Sequence, residues 1–410
     1  MGNFPSNSFT LLLCGVAATC ADDLPPLCDL SVDDAGDCAA LQAFWRATEG
    51  ALPWGSPTNA SSLCGWDGVT CCDGAEGRRV EELDVHNRLL RGSIPDELGG
   101  LASVKRLYLW ANELGGTLPE ALGKGCASLT DLVAEENLLT GSLPESLGLL
   151  TNLEYLGFAL NKITGSVPST LGGLRALRTL KGDYNQLQGS IPTELGELRN
   201  LAYLIVSYNQ IEGVVPSQLG NLESLFDLEI HNNYLSSSLP TELARLGNLT
   251  SLSVGFNGLS GPIPGQLGGM EKIVGLFVEN NAFTGTLPAA LAGAGATLRQ
   301  LEVDHNALTG AVPSQIGLLS ALETFHLASN SFAGALPEGL GALFDHVVSF
   351  DVSDNPLVVG PIPGSVEALA CRLMDQVNGS AQCLLNGDGF AASDCAANPC
   401  AVKECSACAA

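Results

Sequence analysis

Apolar residues recur along most of the chain at fixed intervals. In the stretch LAYLIVSYNQIEGVVPSQLGNL, residues 201–222, the apolar residues, an asparagine and a proline stand at offsets that the next stretch repeats. Alignment on the first apolar residue gives twelve units of 24 residues, with one extra residue in the second, ninth and eleventh. The units begin at Val80, Val104, Leu129, Leu153, Leu177, Leu201, Leu225, Leu249, Ile273, Leu298, Leu322 and Val347.

Each unit opens with the pattern LxxLxLxxN, in which alternating apolar residues predict a short strand with one buried face. Eleven units have asparagine at the ninth position, from Asn112 to Asn355. We expect its amide to bind backbone groups of its own coil and of the next coil. The proline-containing run that follows should turn the chain away from helix. Since one unit buries too little apolar area to offset its ordering entropy, the units must stack.

Composition narrows the range of partners. The 410 residues include 44 acidic and 18 basic side chains, which give a net charge of −26. This charge repels phosphate backbones and anionic lipid headgroups, so we expect no nucleic-acid partner. No stretch reaches the roughly 18 consecutive apolar residues of a membrane span.

The N-terminus carries an apolar run, FTLLLCGVAA, followed by small and then acidic residues. Its length and order predict a signal peptide over residues 1–20, cleaved near Cys20 or Ala21. Because no basic residue precedes the run, a frayed cytosolic N-terminus stays open as the alternative. Glycosylation sequons at Asn59, Asn248 and Asn378 agree with export to a secreted or cell-surface location.

Cysteines gather at the two ends of the chain. Of the 12 that remain after cleavage, 11 lie before residue 73 or after residue 370. This predicts disulfide-closed caps in an oxidising compartment: an N-terminal cap over residues 21–79, repeats over 80–366, and a cysteine-rich C-terminal cap over 367–410. Cys405 and Cys408 form a CxxC pair, but a second CxxC or a histidine at ligand spacing is missing, so a capping role is favoured over zinc binding.

The repeat LxxLxLxxNxLxGxIPxxLGxLxx resembles the plant-type leucine-rich repeat of receptor-kinase ectodomains and polygalacturonase-inhibiting proteins. Upstream, the cap hallmark Cys-x-Trp-x-Gly-Val-x-Cys is matched by Cys64, Trp66, Gly68, Val69 and Cys71. The resemblance spans about residues 37–366. It implies an α/β-type solenoid, a right-handed superhelix with a parallel β-sheet on its concave face and a cap at each end. It also implies a disulfide between Cys64 and Cys71.

Three features depart from that family. Leu63 stands where plant caps usually have a cysteine, and Cys72 follows Cys71, so pairing beyond Cys64 with Cys71 stays open. Ser237 replaces the usual glycine of the seventh unit. No kinase or membrane span follows the repeats, so we expect a secreted or co-receptor-like product rather than a receptor kinase.

The third, fifth, seventh and eighth residues of each unit point away from the core and line the concave face. Aromatic residues on these positions often mark recognition surfaces. They are Tyr108, Trp110, Tyr155, Tyr184, Tyr203, Tyr208, Phe256 and Phe277. Thirteen acidic residues share the positions with only Arg106 and Lys181. The predicted ligand contacts are Tyr108, Trp110, Glu135, Glu136, Tyr155, Asp183, Tyr184, Tyr203, Tyr208 and Phe256.

Catalysis is disfavoured, because the chain has no nucleophile elbow, HExxH motif, phosphate loop or dinucleotide turn, and we expect no cofactor. His86 and His231 are interpreted as solvated strand residues. We predict a non-catalytic recognition protein that binds a protein, peptide or glycan, with a basic peptide of about six residues favoured by the acidic face. The alternatives are an inhibitor of a secreted cell-wall-degrading enzyme and a structural component of the extracellular matrix.

Glu302, His326 and Asp351 occupy the fifth position of successive units, with Asp304 and His305 close by. On adjacent parallel strands their side chains should lie about 4.8 Å apart in one row. Two flanking carboxylates should raise the pKa of His326. A solvated surface row is the favoured interpretation, and a divalent metal site stays open.

Overall fold

The computed structural model describes residues 28, 31–48, 62–74, 77–343 and 347–358. Several sequence-based predictions lie outside these residues: the signal peptide, the sequons at Asn59 and Asn378, and the cysteine-rich tail with Cys405 and Cys408. Asn248 lies within them. Its amide nitrogen donates to the carbonyl of Glu223 and its oxygen accepts from Lys272. Glycosylation of Asn248 stays a prediction.

Thirteen of the described strands form one sheet, which we call the long sheet. Its first two strands form an antiparallel hairpin, and each later strand runs parallel to its predecessor with one strand per unit. The pairing is in register, so Leu204 lies between Leu180 and Leu228. The strands are Val69–Gly74, Gly77–Asp84, Arg106–Tyr108, Asp131–Val133, Tyr155–Gly157, Thr179–Lys181, Tyr203–Ile205, Asp227–Glu229, Ser251–Ser253, Gly275–Phe277, Gln300–Glu302, Thr324–His326 and Ser349–Asp351.

A second, seven-stranded sheet lies later in each unit, from the sixth unit onward, and was not predicted. Its strands are also parallel where they pair. They are Glu212–Val214, Tyr234–Ser237, Gly258–Pro262, Ala282–Thr286, Ala307–Gly310, Ser331–Gly334 and Leu357–Val358.

Short 3-10 helices complete the coils. The proline run itself stays out of helix, as predicted, but a short helix that was not predicted begins directly after the proline, as Ser217–Asn221 does after Pro216. Pro216 is the N-cap of this helix with an extended backbone, at φ −65° and ψ 131°, so its missing N–H costs the helix no hydrogen bond. The described helices are α1 (Ala35–Ala47), α2 (Glu120–Gly125) and the 3-10 segments Leu63–Gly65, Asp96–Gly100, Glu145–Leu149, Ser169–Gly173, Thr193–Glu197, Ser217–Asn221, Thr241–Arg245, Gly265–Gly269, Ala289–Ala294, Ser314–Leu318 and Glu338–Leu343.

One continuous apolar core fills the coils. In the sixth unit, Leu201, Leu204, Val206 and Leu219 are all at most 2% exposed, and the equivalent residues of the other units are buried wherever the structure describes them. Each unit therefore shares its apolar surface with its neighbours, as the repeat pattern predicts. The stacked parallel strands and shared core confirm the predicted leucine-rich-repeat solenoid. Among the described residues, no helix combines the length and apolar character needed to cross a bilayer.

The regularly spaced asparagines form a ladder of hydrogen bonds inside the turns, but the neighbouring coil that they bind is not the predicted one. Asn209 donates through Nδ2 to the carbonyls of Val206 and Ser207 in its own coil, and to Gly182 in the preceding coil. Its Oδ1 accepts from the N–H of Leu187, also in the preceding coil. The next coil was expected instead. The backbone N–H groups of each turn already donate to the next coil. The backbone groups that the asparagine pairs therefore belong to the preceding coil.

The N-terminal cap joins helix α1 to the first strands. Disulfides link Cys28 to Cys38 and Cys64 to Cys71, the second being the pairing that the family hallmark implies. Asp37 of α1 is fully buried and accepts hydrogen bonds from the Arg79 side chain and the N–H of Val80. These contacts fix α1 against the first unit, since breaking a buried pair would leave an uncompensated charge.

Candidate recognition face

The third, fifth, seventh and eighth residues of the units come together on one side of the long sheet, which we call the open face. Within the strands these residues alternate with fully buried leucines, as Asp227, Leu228 and Glu229 illustrate. The register places equivalent residues of adjacent units beside one another. The predicted columns are therefore real rows on the surface of the molecule.

The eighth residue of every unit has a left-handed backbone, with φ between 51° and 55°. Asparagine and glycine tolerate this region, whereas a bulky side chain there is strained by about 1–2 kcal/mol. Asn232 and Asn280 follow the preference. Tyr184, Tyr208 and Phe256 do not, and their side chains remain 46%, 40% and 48% exposed. The aromatic rings at these three positions thus stay in water without contributing to the core.

Two of the rings form the centre of an aromatic cluster. Tyr184 and Tyr208 stack with centroids 4.2 Å apart and planes inclined by 9°. His231 meets Tyr208 edge-on at 5.2 Å, and its Nδ1 lies 3.0 Å from the Ser253 hydroxyl. Burial lowers the pKa of His231. The interpretation of His231 as a solvated residue is therefore wrong, because the row spacing packs it against the neighbouring tyrosine.

Beside this cluster lies a cleft of about 360 Å³. Tyr208 and Phe256 come from the eighth positions of the sixth and eighth units, and the smaller Asn232 lies between them in the row. Tyr234 adds a third aromatic ring to the lining and is 68% exposed. Tyr234 was missed, because it stands at the tenth position of its unit, outside the columns predicted to face the ligand.

At the N-terminal end, Trp110 stacks on His86 with centroids 4.5 Å apart. His86 is exposed, as expected, and its Nδ1 bonds to Asp84. Tyr203 is exposed in the sixth unit, whereas Tyr108 is only partly exposed within the sheet. Burial raises the pKa of Tyr108.

Glu135 is satisfied inside the protein rather than by a ligand. Its carboxylate accepts from the Tyr155 hydroxyl at 2.7 Å and from Lys181 Nζ at 2.8 Å, and its side chain is only 12% exposed. A β-carbon on Gly157 would overlap the carboxylate, so this glycine makes room for the contact. Glu135 and Tyr155 were predicted as ligand contacts, but they bind each other, and Glu135 also binds Lys181.

Some other carboxylates of the face are not paired with a basic side chain in this way. Glu136 is exposed. Asp183 and Asp227 each have one buried oxygen without a hydrogen-bond partner among the described residues. Burial raises the pKa of both groups, and burial together with the charge of Asp227 raises the pKa of Glu229 to about 7. This part of the face accepts N–H donors or cations, which would stabilise the charged carboxylates.

The predicted row of Glu302, His326 and Asp351 is present, since the three residues pair across adjacent strands. Asp351, however, turns to its own coil, where it accepts from the N–H and hydroxyl of Ser353. Asp304, rather than Asp351, is the third member of the cluster. One ligand atom each of Glu302, Asp304 and His326 lies within 4.8 Å of the others. The row of fifth positions predicted that Glu302 and His326 lie together. It could not predict that Asp304 joins them, because this depends on the side-chain rotamers of Asp304 and Asp351.

Comparison with known proteins agrees with the fold. Residues 133–328 match the family described as a leucine-rich repeat region. Over 115 residues the chain is 35% identical to "Receptor protein kinase WSS1" of Oryza sativa subsp. japonica, which covers 28% of this chain and 11% of the kinase.

Two of the similar solved structures each cover 80% of this chain. The crystal structure of PEPR1–AtPEP1 superposes with a TM-score of 0.71 at 31% identity, covering 50% of that chain. The Arabidopsis receptor kinase HAESA, in complex with the peptide hormone IDA and the co-receptor SERK1, superposes with a TM-score of 0.68 at 30% identity, covering 57% of that chain. The chain thus spans about half the length of these receptor chains. The protein thus has a leucine-rich-repeat solenoid fold that is similar to that of plant receptor-kinase ectodomains.

Proposed function

We propose that the protein is a secreted, non-catalytic recognition protein that binds an extended peptide across the aromatic part of its open face, with a receptor-like role in signalling or defence. The contact set comprises Trp110, Glu136, Asp183, Tyr184, Tyr203, Tyr208 and Phe256, with Tyr108 at the margin. Glu135 and Tyr155 are left out because they satisfy each other.

The observation that carries this proposal is the backbone strain at Tyr184, Tyr208 and Phe256. Each holds a bulky ring at a left-handed position where asparagine would be less strained, and each ring stays exposed. Strained residues persist where they serve a function that offsets their cost. Exposed, preorganised aromatic rings supply large contact area at small entropic cost on binding.

The aromatic part of the open face from Trp110 to Phe256, which we call the aromatic strip, has dimensions and a charge that favour an extended basic peptide. Trp110 and Phe256 lie six strands apart, or about 29 Å at about 4.8 Å per strand. An extended peptide of about nine residues covers that distance at roughly 3.3 Å per residue. The peptide length of about six residues predicted from the sequence corresponded to the distance from the second unit to Tyr208 only. One buried carboxylate oxygen of Asp183 and one of Asp227 lack a hydrogen-bond partner among the described residues, which favours Lys or Arg in the peptide.

The solved relatives support the ligand class. HAESA binds a peptide hormone together with a co-receptor. Since this chain spans about half of those receptors, the peptide's identity does not transfer from them.

The test is selection from a random library of nine-residue peptides on the immobilised full chain, followed by affinity measurement on the enriched peptides. We expect enrichment of sequences containing Lys or Arg. The triple variant Trp110→Ala, Tyr184→Ala, Tyr208→Ala should lose at least 100-fold in affinity, since aromatic residues at an interface centre dominate binding. Its melting temperature should change little, because these side chains lie outside the core.

Phe226→Ala is the matched control, since Phe226 is 42% exposed but stands at the second position of its unit, off the open face. It should bind the peptides as the wild type does. Equal binding by the triple variant, or no enrichment, would overturn the proposal. Inhibition of a secreted wall-degrading enzyme, with no peptide enriched, would favour the inhibitor alternative.

A further inference from the structure

The carboxylates at the two ends of the open face differ in whether a Lys or Arg side chain pairs with them. Toward the N-terminus, Arg106 pairs with Glu82 and Lys181 pairs with Glu135. From the sixth unit onward, no described open-face position carries Lys or Arg. Glu279, Glu302 and Asp304 therefore have no Lys or Arg beside them on the described part of the face. Uncompensated, partly buried charge is unfavourable, so a cation from outside the protein would stabilise this end.

Three side chains converge there. Glu302 and Asp304 come from the fifth and seventh positions of the tenth unit, and His326 from the fifth position of the eleventh. One ligand atom from each lies within 4.8 Å of the others. The parallel pairing of Glu302 with His326 sets the separation, so the convergence follows from the backbone register as well as the rotamers.

A second observation indicates that this cluster lacks a partner. Oδ1 of Asp304 and Oε2 of Glu279 are buried and have no hydrogen-bond partner among the described residues. The Asp304 side chain is only 15% exposed, and its other oxygen is occupied by His305 at 2.8 Å. Buried polar atoms are almost always paired, so an unpaired carboxylate oxygen of a residue in this cluster is available to coordinate a cation.

The ring of His326 is already oriented. Its Nε2 lies 2.7 Å from the hydroxyl of Ser349 on the next strand. Such a hydrogen bond fixes ring orientation and tautomer in metal-binding histidines.

We propose that Glu302, Asp304 and His326 bind one divalent transition-metal ion, with zinc as the preferred ion. Two carboxylates and an imidazole suit zinc, whereas calcium prefers oxygen ligands alone. Zinc holds such donors at about 2.0–2.2 Å, which sets them about 3 to 3.5 Å apart. Small rotamer changes bring the three atoms to that spacing, and water completes the coordination. The site lies in units ten and eleven, beyond the aromatic strip, and does not depend on peptide binding.

The experiment is calorimetric titration of the chelator-treated full chain with zinc chloride. The wild type should bind one more zinc ion per chain than Glu302→Gln or His326→Asn. Any zinc held by cysteines is common to all variants and cancels in this difference. Glu323→Gln is the control, because it removes an equal charge from the adjacent unit at a carboxylate that pairs with Arg299 away from the face. It should bind as many zinc ions as the wild type.

Thermal unfolding of the same proteins gives a second readout. Zinc should raise the melting temperature of the wild type and of Glu323→Gln more than that of Glu302→Gln or His326→Asn. Comparison of the metal-free melting temperatures shows first that each variant folds. Equal zinc stoichiometry in the wild type and both site variants, or calcium bound more tightly than zinc, would overturn the proposal.

Discussion

Ser237 shows how a single residue departs from the backbone rule of its repeat. Ten described units have glycine at this position, with φ between 69° and 87°. Ser237 adopts φ 73° in the seventh unit, although a residue with a β-carbon is strained there. The exposed seryl side chain contributes no core contact. The strain is therefore not offset by packing.

We predict that Ser237→Gly raises the free energy of unfolding by about 0.5–1 kcal/mol, because relief of strain outweighs the extra freedom of glycine in the unfolded chain. Denaturant unfolding measures the change. Ser236→Gly is the control. Ser236 is not among the left-handed residues, so this substitution should lower stability. Lower stability for Ser237→Gly would contradict the assignment of strain.

Glu279 is the residue whose charge state should couple stability to pH. Its side chain lies against Gly255, and burial raises its pKa to about 7, well above the roughly 4.3 of the unfolded chain. Between these values the folded state binds more protons than the unfolded state. The contribution of Glu279 to stability therefore falls as the pH rises from about 4.5 to 7.

Glu279→Gln should accordingly stabilise the metal-free protein at pH 8 relative to the wild type, with little difference at pH 5. Melting temperatures across this range, in the presence of a chelator, measure the effect. The exposed Glu271→Gln controls for the removal of one charge. A difference between Glu279→Gln and wild type that is the same at both pH values would show that the buried carboxyl does not titrate in this range.

At the scale of the element, the asparagine ladder joins coil to coil. The nine-residue pattern predicted that these amides serve the backbone, since a polar residue at a fixed place in an apolar repeat must be paired. It could not give the direction of the bonds, because that depends on which backbone groups the parallel strands leave unpaired. The second sheet was missed because its segments, such as Ala282–Thr286, contain glycine, which is depleted in strands, and show no alternation of buried and exposed residues.

Asn209→Ala should lower the free energy of unfolding by about 2–4 kcal/mol, because it removes four hydrogen bonds and leaves the buried N–H of Leu187 unpaired. Denaturant unfolding provides the value. Asn200→Ala, which removes one exposed hydrogen bond to Arg175, should cost less than about 1 kcal/mol. Similar losses for the two variants would refute a special role for the ladder.

At the scale of the whole molecule, a regular repeat makes most of the fold predictable. The period predicted the stacking, the core leucines and the columns of the open face, since each unit solves the same packing problem. Contacts between side chains of different units were not predictable. Glu135 reaches Lys181 two units away because Gly157 leaves room between them. The Cys28–Cys38 disulfide lies within the cap, where the sequence left the pairing open.

The central claim is that strained aromatic residues on the open face are kept for recognition. Phe256→Asn tests it most directly, since Asn232 and Asn280 already occupy the same row with the same backbone conformation. Free energy of unfolding and affinity for a selected peptide should be measured on the same protein. We predict that stability is unchanged or rises by up to about 1 kcal/mol, while affinity falls at least tenfold. A variant that loses stability and binds the peptide as tightly as the wild type would contradict the account.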